Sequence, residues 1–361
     1  MNPCVYPAAF FAAANTTDGF VSLFASVFSS KQLHKIWIVK GTPGSGKSTF
    51  FNRCACACES KGVYVQRIYC SADPSSLDGI IVPQAGVAML DGTAPHTTDP
   101  TYPGTVERVI NFFNFIDCDA LEKEKEKLVG LLEEKSAAFT TAYHFLNACA
   151  PLYAVRMNIL RAAFDTQKAQ KCIRTLLDKA PPICGKQDAF FFDAISCFGM
   201  HSLPLPQAPQ HFTVESHLGL EMLFMEHLSN ELNRRHIFHA KVHAVPFRQC
   251  FSALLCGNAC YAACPKNGEN HSCDVSRFLL PNMSKKSLRN ALVPLLKEEK
   301  NLLDLATASF LCAGTVHDRV EALYHPYIHF DALNAFCDTF IKKTFLPAVF
   351  TSKSSDIINN L

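Results

Sequence analysis

Gly41-Thr42-Pro43-Gly44-Ser45-Gly46-Lys47-Ser48-Thr49 fits the pattern G-x-x-x-x-G-K-[ST] at every defined position, and its flanks decide the fold. Before it, Ile36-Trp37-Ile38-Val39 is an unbroken apolar run, as in a strand covered on both faces. After it, Phe50, Phe51, Cys54 and Cys58 recur at helical spacing and give one packing face. In this strand–turn–helix context the pattern cradles phosphate. Gly41, Gly44 and Gly46 lack a Cβ, so the backbone can curl and aim its N–H groups inward. The helix starting near Gly46 adds unpaired N–H groups. Lys47 carries a full charge toward the β- and γ-phosphates, and the Ser48 hydroxyl stands where a Mg²⁺ ligand is needed. Residues Gly41 to Thr49 are therefore the expected nucleotide site. ATP with Mg²⁺ is the expected ligand, adenine being only the default because no N-K-x-D guanine motif stands out. The competing reading is a glycine-rich turn with a surface lysine.

Downstream, Val63 to Cys70 reads as a second strand, Ser71 to Ser76 as a polar loop, and Gly79-Ile80-Ile81-Val82 and Gly86 to Leu90 as further strands. The order predicts α/β with a parallel sheet. The last strand runs into Asp91, 44 residues after Lys47, the carboxylate expected to hold Mg²⁺, often through water; Asp78 competes for that role. Gly92 follows Asp91 where many ATPases carry a glutamate, which favours slow hydrolysis, phosphoryl transfer or a switch. The expected catalytic set is Lys47, Asp91 and Asp78, with Ser48 and Asp91 on the metal. Asp73, Asp78 and His96 are candidates to orient an acceptor or water, against their reading as ordinary loop residues.

Phe10 to Leu23, two apolar pieces around a polar turn, reads as an edge element leading to a helix. From Asp117 to Lys179 the pattern is helical. The alternating charges of Glu122 to Lys127 mark a solvated face, and Leu128, Leu131, Leu132, Phe139, Leu146 and Leu160 carry the apolar pattern onward in a hairpin or lid. Arg156 and Arg161 could serve as lid arginines toward a γ-phosphate, against a reading as surface arginines.

An internal repeat emerges at an offset of about 180 residues. Phe191-Phe192-Asp193-Ala194-Ile195-Ser196 echoes Phe10 to Asn15, Phe212-Thr213-Val214 falls on Trp37-Ile38-Val39, and His236 to His243 falls on Gly62 to Tyr69. In this register Ser216 to Leu223 replaces the phosphate loop, Glu221 stands at Gly46 and Met222 at Lys47, so the second copy should bind no triphosphate. The expected fold is a P-loop NTPase fold, internally duplicated, with a degenerate second loop and helical hairpin insertions. Its expected domains are residues 1–185 and 186–361.

Phe10 to Leu23, Gly41 to Thr49, Cys70 to Gly79, Met89 to His96 and Val316 to Tyr324 together carry a resemblance to a family of duplicated P-loop ATPase-like proteins of Gram-positive, spore-forming bacteria. The resemblance covers most of the chain and implies a tandem P-loop fold with ATP binding, for a physiological reaction not established in that family. The second half departs from the family, whose members more often keep a recognisable second loop.

Composition narrows the partners. With a formal net charge of +2, 18% charged residues and no basic run, nothing draws the chain to nucleic acid or an anionic membrane. The 29 Phe, without interleaved Arg and Lys, read as core. Seventeen cysteines without framework spacing or a signal peptide predict reduced thiols and a cytoplasmic location, and no apolar run is long enough to span a bilayer. Cys256, Cys260, Cys264 and Cys273 with His271 invite a metal reading, but their spacing suits buried thiols better. The expected function is a Mg²⁺-dependent nucleoside triphosphate-binding protein that hydrolyses ATP or transfers its phosphoryl group to an unknown substrate. The alternative is a nucleotide-gated regulatory protein with a protein partner and little turnover.

Overall fold

Ile36 and Ile38 enter one apolar core and Trp37 and Val39 another, because the strand they form is covered on both faces. The computed structural model describes residues 7–186, 188–264 and 272–356. The first half runs β1 (Ala9–Phe11), β2 (Ala13–Thr16), β3 (Gly19–Ser22), α1 (Phe24–Val27), β4 (Lys35–Lys40), α2 (Lys47–Glu59), β5 (Gln66–Tyr69), β6 (Leu77–Val82), β7 (Val87–Asp91) and β8 (Glu107–Asn111). It continues with α3 (Cys118–Leu121), α4 (Lys125–Ala163) and α5 (Thr166–Lys179). The second half runs β9 (Asp188–Phe191), β10 (Asp193–Ser196), β11 (Gly199–Ser202), β12 (Gln210–Glu215), α6 (Leu220–Arg234), β13 (Ala240–His243), β14 (Phe251–Cys256), β15 (Ala259–Cys264) and β16 (Ser272–Asp274). It closes with α7 (Lys285–Tyr324), α8 (Phe330–Phe340) and α9 (Leu346–Asp356).

Twelve strands form one continuous mixed sheet in the order β16-β12-β15-β14-β13-β9-β1-β5-β6-β7-β4-β8. At its centre β1 and β9 pair antiparallel through Phe11 and Phe191. Outward from that pair the two sides read β1-β5-β6-β7-β4-β8 and β9-β13-β14-β15-β12-β16, with the same sense at each matching step. Backbone ties cross the centre in matching places: Thr17 N–H donates to Pro246 O at 3.0 Å, and Cys197 N–H to Ala72 O at 2.9 Å.

Two expectations are corrected here. The Phe10–Phe11 stretch is no edge element; β1 lies at the middle of the sheet between β5 and β9, and both rings are fully buried. Nor is the sheet parallel throughout: β5, β6 and β7 form an antiparallel meander, as do β13, β14 and β15. The connections explain it. Residues 70–76 and 83–86 are too short for a crossover, which takes about a dozen residues, so the chain must turn back on itself.

The cores ignore the sequence boundary near residue 185. The core on α6 includes Cys149, Leu160 and Phe164 from the end of α4 and its following turn, whereas the core on α2 includes Leu333, Phe340 and Phe345 near the C-terminus. Trp37 meets Phe340 edge-on with ring centroids 5.4 Å apart. The expected helical hairpin is also built differently, because α4 pairs along its length with α7 of the other half. Their contacts run antiparallel, from Glu134–Arg319 at one end through Tyr143–Phe310 to Arg156–Glu299 at the other. The start of α4 and the end of α7 therefore lie over the first half, and their other ends over the second. Among the described residues no helix is long and apolar enough to cross a membrane.

Candidate functional site

The loop between β4 and α2 is held by glycine geometry. Gly44 (φ +69°) and Gly46 (φ +81°) take left-handed conformations that disfavour a side chain, and Gly46 caps α2. A Cβ on Gly41 would stand 2.7 Å from Ser45 Oγ, so the close turn there needs glycine as well. Ser45 Oγ donates to Thr42 O at 2.7 Å and fixes the curl. Thr42 Oγ1 is buried with no hydrogen-bond partner among the described residues. Pro43 and Thr49 complete the stretch, Thr49 in the first turn of α2.

Lys47 leaves the first position of α2 and folds back over the loop, donating to Gly41 O at 3.0 Å and Thr42 O at 2.9 Å. Its Nζ lies 3.5 Å from Asp91 Oδ2. This meeting follows from sheet register, because β4 and β7 are parallel neighbours with Val39 opposite Asp91. Asp91 Oδ1 accepts the N–H of Thr93 at 2.8 Å and also its hydroxyl, which fixes the carboxylate's rotamer. Ser48 Oγ accepts Leu77 N–H at 2.8 Å. A hydroxyl has a second lone pair, which this bond leaves for a metal.

The other carboxylates are engaged elsewhere. Asp78 is buried with Oδ2 3.1 Å from His96 Nε2, and the His96 ring stacks on Phe24 at 4.1 Å between centroids. Burial, reinforced by the Asp78 carboxylate, pushes the Cys70 thiol well up. Asp73 closes its own turn, accepting from Ser75 N–H at 3.0 Å and from the hydroxyls of Ser75 and Ser76 at 2.6 and 2.7 Å. Asp73 is thus spent on its own turn, whereas Asp78 Oδ2 and His96 Nδ1 are buried without a hydrogen-bond partner among the described residues.

One neighbour was invisible to motif reading. The α7 backbone lies on the loop, so that a Cβ on Gly44 would stand 3.2 Å from Glu321 Cβ. The Glu321 carboxylate is held below the usual carboxylate range by its hydrogen bond with His317, against a counteracting burial effect, and the nearby Gly44 N–H adds a smaller pull in the same direction. The sequence held two signals: Val316 to Tyr324 is among the segments that carry the family resemblance, and His317 and Glu321 are spaced one helical turn apart.

The second loop corrects the sequence register. Six residues, 41–46, separate β4 from α2, but only four, 216–219, separate β12 from α6. Gly219 (φ +100°) therefore takes the place of Gly46, Leu220 that of Lys47 and Glu221 that of Ser48. Met222 is two residues past the lysine position. Glu221 reaches back to accept His217 N–H at 2.9 Å, filling the loop with the chain's own carboxylate. Arg156 is neither a surface arginine nor a γ-phosphate finger: it is buried against this second loop, with Nη1 2.9 Å from where a Gly219 Cβ would stand, and Nε bonds Glu299 at 2.9 Å. Arg161 is exposed and 3.8 Å from Glu226.

Among the cysteines, Cys256 and Cys260 enter cores on opposite sides of the sheet, so one ion cannot bridge them. Burial pushes both up to about 12, and Cys58 to about 11. Among the described residues no group of three or more His, Cys, Asp or Glu is arranged to hold a metal; His271 lies outside them. Comparison with known families, curated proteins and solved structures finds no match to this chain.

Proposed function

We propose that residues 41–49 bind a nucleoside triphosphate, by default ATP, with Mg²⁺, and that the first half hydrolyses it or passes its terminal phosphoryl group to an acceptor. The carrying observation is the meeting of Lys47 and Asp91 at 3.5 Å across parallel strands, beside a loop whose Gly44 and Gly46 take left-handed conformations. Ser48 and Asp91 would hold Mg²⁺, which neutralises charge on the phosphate oxygens when bound. Lys47 is already on the loop and needs only to swing from two carbonyls to a phosphate. The sheet's matching halves support a reading as two copies of one P-loop unit, as in the tandem family the sequence resembles, with the second copy structural. The described cysteines are free thiols, which fits a cytoplasmic setting.

A second reading, a nucleotide-gated interaction protein with little turnover, is favoured by the packing of Glu321 of α7 against Gly44 of the loop. Asp91→Asn separates the two. For an enzyme, the variant is expected to keep measurable nucleotide binding while single-turnover phosphate release falls at least ~10-fold, because charge developing in the transition state loses its stabiliser. For a switch, release is already slower than about one per hour in both proteins, with protease protection specific to ATP over ADP. Equal, rapid release from both would remove Asp91 from the chemistry.

A further inference from the structure

A carboxylate of the chain itself stands beside this loop. In the second half Glu221 serves its loop locally. In the first half Glu321 comes instead from α7, some 275 residues further along the chain, with its Cβ 3.2 Å from where a Gly44 Cβ would stand. The contact belongs to a relay. His317 Nε2 lies 3.3 Å from Glu321 Oε1, while His317 Nδ1 lies 2.9 Å from Lys135 Nζ on α4, whose burial pulls that ammonium's pKa down. Beside the relay a cleft of about 540 Å³ is lined by Gly44, Asp318, Glu321, Ala322, His325 and Pro326. Carboxylate and phosphate oxygens compete for the same N–H groups.

We propose that Glu321 is a tethered stand-in for phosphate, and that a nucleoside triphosphate binds the loop by expelling it, which frees the end of α7 from the first half. This rests on the nucleotide reading of residues 41–49. A competitor attached to the protein lowers apparent affinity by the fraction of time the seat is free. Removing its charge should therefore tighten binding and uncouple α7 from the nucleotide. The test is calorimetry with Mg-ATP on the full chain and on Glu321→Gln, with hydrogen exchange followed across residues 316–324. Wild type is expected to show faster exchange there once ATP binds. The variant is expected to bind roughly 5- to 30-fold tighter and to show fast exchange before ATP is added. Wild type that binds ATP with unchanged exchange in that segment overturns the latch and leaves the site standing, as does a variant of equal affinity. No binding by either protein overturns the site itself, and the latch with it.

An independent feature sits on the other half. Cys172 on α5 and Cys273 on β16 are half-buried, and one guanidinium nitrogen of the exposed Arg277 donates to both sulfurs, at 2.8 Å and 3.3 Å. The interaction with Cys273 and the Arg277 charge pull the Cys172 thiol below the usual thiol range, whereas every other described cysteine with a resolved shift is pushed up. We infer that Cys172 and Cys273 form a peroxide-reactive dithiol. The Cys172 thiolate attacks a hydroperoxide, an S–O bond forms as O–O breaks, and hydroxide leaves and takes a proton. The Cys273 thiol then displaces water from the sulfenic acid and closes a disulfide, so that two thiols are oxidised as hydrogen peroxide becomes two waters. Treating the reduced chain with one equivalent of hydrogen peroxide and mapping peptides without reductant should give a Cys172–Cys273 cross-link first. Cys273→Ser should instead leave a sulfenic acid on Cys172 that dimedone traps. Oxidation of Cys172 no faster than that of the exposed Cys56, Cys118 and Cys312 overturns the inference.

Discussion

Lys47→Ala is expected to weaken Mg-ATP binding by roughly 30- to 1,000-fold, from the loss of about 2 to 4 kcal/mol when one partner of a desolvated charge pair is removed. The side chain is 10% exposed, its ammonium bonds the loop carbonyls and faces Asp91, and it belongs to none of the apolar cores. The fold should therefore stand: two loop carbonyls lose a donor, at about 1 kcal/mol each, and no apolar core opens. Calorimetry measures affinity and stoichiometry together. Wild type should take one nucleotide per chain, because Leu220 and Glu221 occupy the second loop's lysine and hydroxyl positions. An unchanged dissociation constant in the variant would sink the site assignment, and two nucleotides per chain would sink the reading of the second loop.

What the sequence made legible was local. The apolar run 36–39, the glycines after it and the helical spacing of Phe50, Phe51 and Cys54 are consequences of backbone sterics and two-faced burial, and β4, the loop and α2 lie where those rules put them. Strand positions in the second half were legible too, since Phe212 to Val214 falls within β12 as its counterpart falls within β4. The loop register was not, because a loop two residues shorter leaves no mark in a stretch with one glycine. Strand sense depends on connection length. The connections 70–76 and 83–86 were visible, but the Gly-Lys motif drew attention to a parallel arrangement that they forbid.

Contacts between elements far apart in sequence were beyond reach. Nothing local marks Phe11 as the neighbour of Phe191, or Glu321 as the neighbour of Gly44. Arg156 shows the limit most clearly. On α4 its neighbours read as an ordinary helix, and its burial exists only because α7 brings Glu299 alongside.

That pairing carries the largest expected effect on stability. Arg156 and Glu299 are both buried, bonded at 2.9 Å, and the guanidinium lies 5.2 Å from the Tyr153 ring centroid and 5.4 Å from that of Phe247. Arg156→Ala removes the partner of a carboxylate that cannot reach water and leaves a void beside Gly219, so urea unfolding should show a loss of about 3 to 5 kcal/mol. Glu299→Ala should cost a similar amount, because it strands the guanidinium instead. Replacing both by apolar residues of similar length, Arg156→Met with Glu299→Leu, leaves no buried charge. The double variant is therefore expected to be more stable than either single one. Single-variant losses under about 1 kcal/mol would mean that the pair is solvated or that neighbours relax to serve each charge. A double variant as unstable as the sum of the singles would show that α4 and α7 rely on packing by these two side chains, not on their charges. Because the pair sits over the second loop, Mg-ATP affinity at residues 41–49 should not follow the stability loss. A parallel fall in affinity would show that the α4–α7 pair transmits strain from one half to the other.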